Sequence, residues 1–272
     1  MKEEKIEYQS AQACAATQFP EDGVIHCMGD SHTSLFYGLN KVMPTLPRIK
    51  KGYLQQFSAY NLGPVLAYNL IEDESTTSSK ENLLKLLKEV IPPKSWVLLC
   101  FGEIDCRAHL IKHAEKSGQA WELVAQKCAE RYLRAAKLVC DEGHHLIIYN
   151  SIPSARKDEP NAQYPTYGDC MERNRMTKLF NGCLKSYCRS QKIPFVDTFD
   201  SLVDCQGLTR SDYYMDPIHL SQKALGLTMK ALSEVVPGFK FKKLGWIGAK
   251  TSIWRKLVAL FDEAKSRYST FS

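Results

Sequence analysis

Short apolar runs alternate with amphipathic stretches along most of this chain. The runs predict buried β-strands at "VIHCMG" (24–29), a weaker "YLQQF" (53–57), "WVLLCFG" (96–102), "HLIIYNS" (145–151) and "PFVDTF" (194–199). Continuous apolar runs of this kind are typical of strands in a parallel sheet that is covered on both faces.

Helical periodicity fills the intervals between the predicted strands. Apolar residues recur at helical spacing over 78–90, 120–143, 171–191 and 221–236. Strands that alternate with helices of this length predict an α/β domain built on a parallel sheet. One long connection, 153–170, follows a strand end, so it either overhangs a site or is a plain surface excursion.

Length and composition fit a globular protein with one large domain, alone or with an appendage. The chain has 272 residues, of which 44% are hydrophobic and 24% charged. We expect a cytoplasmic protein, because neither a secretory signal nor a stretch of transmembrane length is visible. The ten cysteines contain no CxxC pair, which favours reduced thiols and argues against a zinc site.

The net charge of +6 lies entirely in the C-terminal segment, since the first 235 residues hold 28 basic and 28 acidic side chains. Between 251 and 268, apolar residues such as Trp254, Leu257 and Phe261 recur at helical spacing with basic residues between them. Residues 240–272 therefore either lie on the anionic inner face of a membrane or pack on their own domain or a second subunit. The neutral body argues against nucleic-acid binding.

A candidate nucleophile follows the first predicted strand, in Gly29-Asp30-Ser31-His32. Ligands of open α/β sheets bind at the carboxyl ends of the strands, where Ser31 would lie. A plain helix-capping role for Asp30 or Ser31 is the alternative.

A serine nucleophile needs a base, and that base needs an orienting partner. "YYMDPIHLSQ" places Asp216 three residues before His219, after the last predicted strand and before the last helix of the body. In such a turn the acid can hold one imidazole nitrogen and leave the other facing inward. We therefore expect Ser31, His219 and Asp216 to act together.

These two blocks resemble those of the SGNH hydrolases, also called the GDSL esterase/lipase family. Gly29-Asp30-Ser31 matches the family's first block, and Asp216-Pro217-Ile218-His219 matches its last. The resemblance implies a three-layer α/β/α, flavodoxin-like domain over 1–236 with a five-stranded parallel sheet, and Ser31 as nucleophile. Residues 237–272 fall outside it as a basic amphipathic extension.

The middle blocks of the family match less well. The resemblance implies that the amides of Ser31 and Gly63 line an oxyanion hole, but Ile104 stands where the family has an asparagine donor. A guanidinium offers donors that suit an oxyanion, so Arg107 is expected to replace that asparagine. The alternative is a structural ion-pair cluster of Glu103, Asp105 and Arg107.

The sequence therefore predicts a serine-dependent ester hydrolase or acyltransferase acting on a small or carbohydrate-linked ester, with acetyl as the expected acyl group. No cofactor and no metal are expected. Substrate contacts are predicted for Asp30, His32, Glu103, Asp105, Arg107, His109 and Tyr214. The competing hypothesis is a non-catalytic or weakly active module of the same fold that binds an anionic or sugar ligand.

Overall fold

A single parallel sheet organises the protein. The computed structural model describes residues 18–49, 52–72, 78–156 and 164–242. The strands are β1 (Ile25–Gly29), β2 (Phe57–Asn61), β3 (Trp96–Cys100), β4 (His145–Tyr149) and β5 (Phe195–Val196). Their order is β2-β1-β3-β4-β5, and every neighbouring pair is parallel. This order confirms the predicted flavodoxin-like sheet, whose strand order reverses between β1 and β3.

Helices cover both faces of the sheet, as three-layer packing requires. The α-helices are α1 (Ser79–Lys85), α2 (Leu110–Ser117), α3 (Trp121–Asp141), α4 (Cys170–Gln191) and α5 (Leu225–Val235). Successive side chains of β3 lie on opposite faces of the sheet. Val97 and Leu99 pack in the core beneath α1 to α4, and Leu98 packs in the core beneath α5. The three-layer α/β/α prediction is thus confirmed.

The position predicted for the second strand was wrong. It runs over Phe57–Asn61 rather than 53–57, and Phe57 pairs with Ile25 while Asn61 pairs with Gly29. Its sequence, FSAYN, contains polar residues that read as a loop, yet every residue except Ser58 is buried. The position of this strand is determined by tertiary packing on both faces of the sheet rather than by the local pattern of hydrophobic residues.

The first residues of the predicted C-terminal extension pack on the domain. Phe239 is 3% exposed, and its ring contacts those of Phe19 and Phe57 at centroid distances of 5.3 and 6.1 Å. The Gln56 side chain also donates to the Lys240 carbonyl and accepts from the Lys242 amide. The remainder of the predicted extension, including its amphipathic stretch, lies outside the described residues.

Candidate active site

Ser31 lies at the carboxyl end of β1, where a tight turn fixes it. Asp30 caps a 3-10 helix that begins at Ser31, and its side chain accepts a hydrogen bond from the His32 amide at 2.9 Å. The Asp30 carbonyl accepts from the Thr33 amide and hydroxyl. Because β1 and β3 flank the point where the strand order reverses, Ser31 lies at the ligand-binding position of this kind of sheet.

The turn that carries His219 is closed by its own backbone. The Met215 amide donates to the His219 carbonyl, and the Ser221 amide donates to the Tyr213 carbonyl. Inside the turn, Asp216 Oδ1 accepts from the amides of Ile218 and His219 at 2.9 and 2.8 Å. One carboxylate oxygen thus shapes the turn and leaves the other oxygen for the imidazole.

The two turns meet in a continuous hydrogen-bond chain. Asp216 Oδ2 lies 2.6 Å from His219 Nδ1, and His219 Nε2 lies 2.7 Å from Ser31 Oγ. Both distances are within hydrogen-bond range. Residues 188 positions apart in sequence are therefore in direct contact.

Burial and charge act against each other on the two ionisable groups of this chain. Burial lowers the pKa of His219 below its ordinary value, as does the nearby His32, and the hydrogen bond to Asp216 only partly compensates. For Asp216, burial raises the pKa, but the hydrogen bond to the His219 ring, the charge of that ring and the amides of His219 and Ile218 together outweigh burial, and the net pKa is lowered. Near neutral pH this arrangement pairs a neutral imidazole with an ionised carboxylate.

A second chain of buried groups runs beside the first. His32 Nε2 lies 3.1 Å from Glu103 Oε2, and Arg107 Nε donates to Glu103 Oε1 at 2.8 Å. The three side chains are only 3 to 4% exposed. Arg107 also donates to the Pro165 carbonyl and its own carbonyl accepts from the Tyr167 amide. This chain links the nucleophile turn to the turn after β3 and to the loop that follows β4.

Charges alternate along the second chain. Burial lowers the pKa of His32, but the carboxylates of Asp30 and Glu103 outweigh burial and the net pKa is raised. Burial raises the pKa of Glu103, yet its bonds to His32 and Arg107 outweigh that and the net pKa is lowered. Burial raises the pKa of Asp30 to about 6, and its Oδ2 has no hydrogen-bond partner among the described residues.

Several predicted site residues have structural partners instead of open faces. The Gly63 amide, predicted as an oxyanion donor, donates to Asn61 Oδ1 at 2.9 Å. Asp105 is 1% exposed, and its carboxylate accepts from the amides of Ala67 and Tyr68. In this conformation neither group is free to contact a substrate, because its hydrogen-bonding capacity is already used.

The other side chains predicted to contact substrate are buried, bonded within the protein, or placed at a different cleft. Asp30 is fully buried, and Glu103 and Arg107 are committed to each other. The Tyr214 hydroxyl donates to the Pro153 carbonyl at 2.7 Å. His109 is exposed but lines a different cleft, with Tyr68 and α2. The position of Arg107 therefore favours the alternative of a structural ion pair over the predicted role as an oxyanion donor.

Tyr164 is a site residue that the sequence did not single out. Its ring meets that of His219 edge-on, with centroids 5.8 Å apart. It belongs to the long connection after β4, for which an overhanging position was one of two alternatives. The signal in the sequence was loop length alone, which does not indicate a particular residue.

Metal and membrane features can be stated for the part of the chain that the structure describes. No group of three or more His, Cys, Asp or Glu side chains there is arranged to hold a metal ion. Nine cysteines lie in those ranges, and no disulfide joins any two of them. None of the described helices is long and apolar enough to cross a bilayer.

Neither a family model nor a curated protein matches this chain. Several solved structures have a similar path of the main chain. One is a GDSL-like lipase from Bacteroides thetaiotaomicron, which is 14% identical in sequence and has a TM-score of 0.48; the match covers 82% of this chain and 93% of the lipase. A carbohydrate acetylesterase from Sinorhizobium meliloti has 16% identity and a TM-score of 0.46, covering 78% and 98%. A variant of an acetyl-xylooligosaccharide esterase from Geobacillus has 13% identity and a TM-score of 0.49, covering 83% and 100%. Similarity at this level says nothing about activity.

Proposed function

We propose that this protein is a serine-dependent ester hydrolase or acyltransferase, with Ser31 as nucleophile, His219 as general base and Asp216 as the group that orients His219. The observation that supports it is the continuous chain from the Asp216 carboxylate through the imidazole to the Ser31 hydroxyl, at 2.6 and 2.7 Å. A hydroxyl, a base and an orienting acid in this geometry are the parts that acyl transfer needs.

The proposed reaction has two halves. Ser31 Oγ attacks the ester carbonyl carbon while His219 Nε2 takes the hydroxyl proton. The tetrahedral intermediate collapses, the C–O bond to the alcohol breaks, and His219 returns the proton to the leaving oxygen. Water or a second alcohol, deprotonated by His219, then attacks the acyl-enzyme and releases Ser31. Hydrolysis and transfer differ only in that second acceptor.

Asp216 sets the tautomer that this reaction needs. With the proton on Nδ1 donated to Asp216 Oδ2, the lone pair of Nε2 faces Ser31. The lowered pKa of His219 keeps the imidazole unprotonated near neutral pH, so that Nε2 can accept the proton of Ser31.

Oxyanion stabilisation is the weakest part of the machinery. Ile104 has no side-chain donor, Arg107 pairs with Glu103, and the Gly63 amide donates to Asn61. We propose the Ser31 backbone amide as the first donor, with the Gly63 amide joining only if it leaves Asn61. One missing donor typically costs a factor of about 10²–10³ in kcat, so slow turnover is expected.

The surroundings of Ser31 favour a short acyl group such as acetyl. The described groups beside His219 are the rings of His32 and Tyr164 and, through His32, the buried Glu103 carboxylate, and none of them is a long apolar side chain. A long alkyl chain gains its binding energy from apolar walls. A small or carbohydrate-linked acetyl ester fits this setting better than a lipid ester.

A non-catalytic module that binds an anionic or sugar ligand is the second candidate. The observations that favour it are the occupied Gly63 amide and Ile104 at the position of a donor. A binding module, however, has no need for a base in hydrogen-bond contact with a hydroxyl, and the Ser31–His219 contact therefore favours the enzyme.

Covalent labelling separates the two candidates. A fluorophosphonate probe, followed by intact-mass spectrometry, should add one adduct to the parent protein and none to Ser31→Ala. Ser151→Ala is the matched control, because it removes a buried hydroxyl that has no hydrogen-bond partner among the described residues. Equal labelling of the parent and Ser31→Ala, or no labelling of either, would contradict the proposed nucleophile.

A further inference from the structure

A second cleft, separate from the Ser31 turn, opens beside α2 and has a basic lining. It encloses about 430 Å³, within the range of small-molecule sites. Its cationic and imidazole side chains are Lys112, Lys116, Lys127, His109 and His113. All five residues are exposed.

Among the residues that the structure describes, acidic side chains leave this lining largely uncompensated. Asp105 is the one acid of the described ranges that lines the cleft, and its carboxylate accepts hydrogen bonds from the Ala67 and Tyr68 amides. Glu115, the acid of α2, accepts from the Tyr167 hydroxyl. Within the described ranges none of the three lysines forms a salt bridge, and Lys127 donates to Gln119 instead. The cleft therefore presents uncompensated positive charge.

This arrangement costs the fold stability. Positions 109, 112, 113 and 116 are spaced three or four apart, so they lie on one face of a helical stretch. Two of them, Lys112 and Lys116, are like charges four residues apart, and such a pair weakens a helix slightly. Glu115, the acid beside them on α2, already accepts from the Tyr167 hydroxyl, so an anion bound in the cleft would relieve the repulsion between the two lysines.

The apolar and aromatic part of the cleft lining suits the ring of a small molecule. Leu66, Leu110 and Val124 supply apolar lining. Tyr68 is held by Arg131, whose guanidinium lies 4.1 Å from the centre of its ring and whose Nε donates to its carbonyl at 2.7 Å. A fixed aromatic ring beside basic side chains can contact a flat ring and its charged substituent together.

One turn joins this cleft to the candidate active site. The π-helical turn Asp105–His109 turns Arg107 inward to Glu103 and leaves His109 exposed at the cleft. π-turns are uncommon in α-helices and are frequent at functional sites. Because Asp105 and His109 both line it, the cleft lies beside the turn that follows the carboxyl end of β3.

We propose that this cleft binds a phosphate ester of a ring-bearing small molecule, such as a nucleoside diphosphate. The lysines bind the phosphate oxygens, and Tyr68 contacts the ring. Phosphate is favoured over a single carboxylate because three lysines converge on the cleft, and one carboxylate neutralises only one of them. The inference does not depend on the proposed ester chemistry, because none of its residues belongs to the Ser31 chain.

The test is isothermal titration of the full chain with uridine diphosphate, inorganic pyrophosphate and uridine. We expect the diphosphate to bind more tightly than pyrophosphate, uridine to bind hardly at all, and affinity to fall with salt. Lys112→Glu with Lys116→Glu should lower the diphosphate affinity at least tenfold. Lys137→Glu with Lys230→Glu, the same charge change on exposed lysines of α3 and α5, should change it less than twofold.

Three results would overturn the proposal: no binding of either phosphate compound by the parent, equal loss in both lysine pairs, or uridine binding as tightly as its diphosphate. Thermal melts of each variant establish that it is folded, and Lys112→Ala with Lys116→Ala provides a milder version of the same test. Hydrolysis of a neutral acetyl ester should be unchanged in these variants, so the cleft and the Ser31 chain are tested separately.

Discussion

The imidazole rings of His32 and His219 lie 5.1 Å apart, centre to centre, in opposite electrostatic settings. His32 is held by the carboxylates of Glu103 and Asp30, which raise its pKa, whereas burial and His32 itself lower the pKa of His219. One ring is arranged to carry a positive charge, and the other to stay neutral. The first ring thereby helps to keep the second neutral.

Replacing His32 should therefore change the pH dependence of the reaction. In His32→Gln the repulsion on protonated His219 is lost, so the pKa of His219 rises and the acid limb of the kcat/KM profile moves to higher pH. Glu103 and Asp216 still face His219 and are unchanged. The profile is measured with a neutral acetyl ester.

Tyr164→Phe is the control for this profile, because it keeps a ring beside His219 and removes no charge at neutral pH. Its acid limb should coincide with that of the parent. An acid limb that stays in place or moves to lower pH in His32→Gln would show that His32 does not tune the base.

Arg107 should matter first for stability. Arg107→Ala leaves Glu103 buried without its main cationic partner, and breaking a buried pair in this way typically costs about 3–5 kcal/mol. Adding Glu103→Gln removes the stranded charge and should recover part of the loss. Urea unfolding of the single and double variants measures both effects. If Arg107→Ala is no less stable than the parent, the pair is not structural.

Asp30 makes stability depend on pH. Its folded pKa, about 6, lies above that of an exposed aspartate, so its contribution to stability is complete at low pH and is lost as pH rises through 6. Asp30→Asn imitates the protonated form and avoids this loss. Between pH 5 and 7.5 the parent should lose about 1 kcal/mol more than the variant.

Asp200→Asn, at an exposed position, is the matched control for this comparison and should follow the parent. Free energies of unfolding at the two pH values supply the measurement. A parent that becomes relatively more stable than Asp30→Asn as pH rises would contradict the raised pKa.

We expect the residues up to Lys242 to be needed for stability and the residues after Lys242 to be dispensable for folding and turnover. A chain that ends there keeps Phe239 on Phe19 and Phe57 and should fold and turn over a soluble ester like the parent. A chain that ends at Val236 loses that buried ring, which typically costs about 3–5 kcal/mol. Thermal unfolding of the two truncations checks this, and equal stability would show that Phe239 contributes nothing.

The sequence predicted those parts of the fold that local pattern controls. β1, β3 and β4 begin within one residue of their predicted positions because each is a continuous apolar run. β2 was misplaced because its polar residues are buried by tertiary packing. α2 was not predicted, because only Leu110, Ile111 and Ala114 of its eight residues are buried.

Within the candidate site, the sequence brought out Ser31, Asp216 and His219 through their places after strands. It could not show that the Gly63 amide would donate to Asn61, or that Arg107 would be buried, since both depend on contacts between distant segments. The roles proposed for the three residues remain predictions until the labelling experiment is done.

Position 29 accepts no side chain, which limits how the strand ends around Ser31 can change in sequence. It pairs with Asn61 on one side and Cys100 on the other, and any β-carbon placed there would collide with the Cys100 carbonyl oxygen. Even alanine would push apart the strand ends that carry Ser31 and Glu103. Every substitution at position 29 therefore disturbs the turn that carries Ser31 and the turn after β3 at the same time, so we expect glycine to be the residue tolerated there.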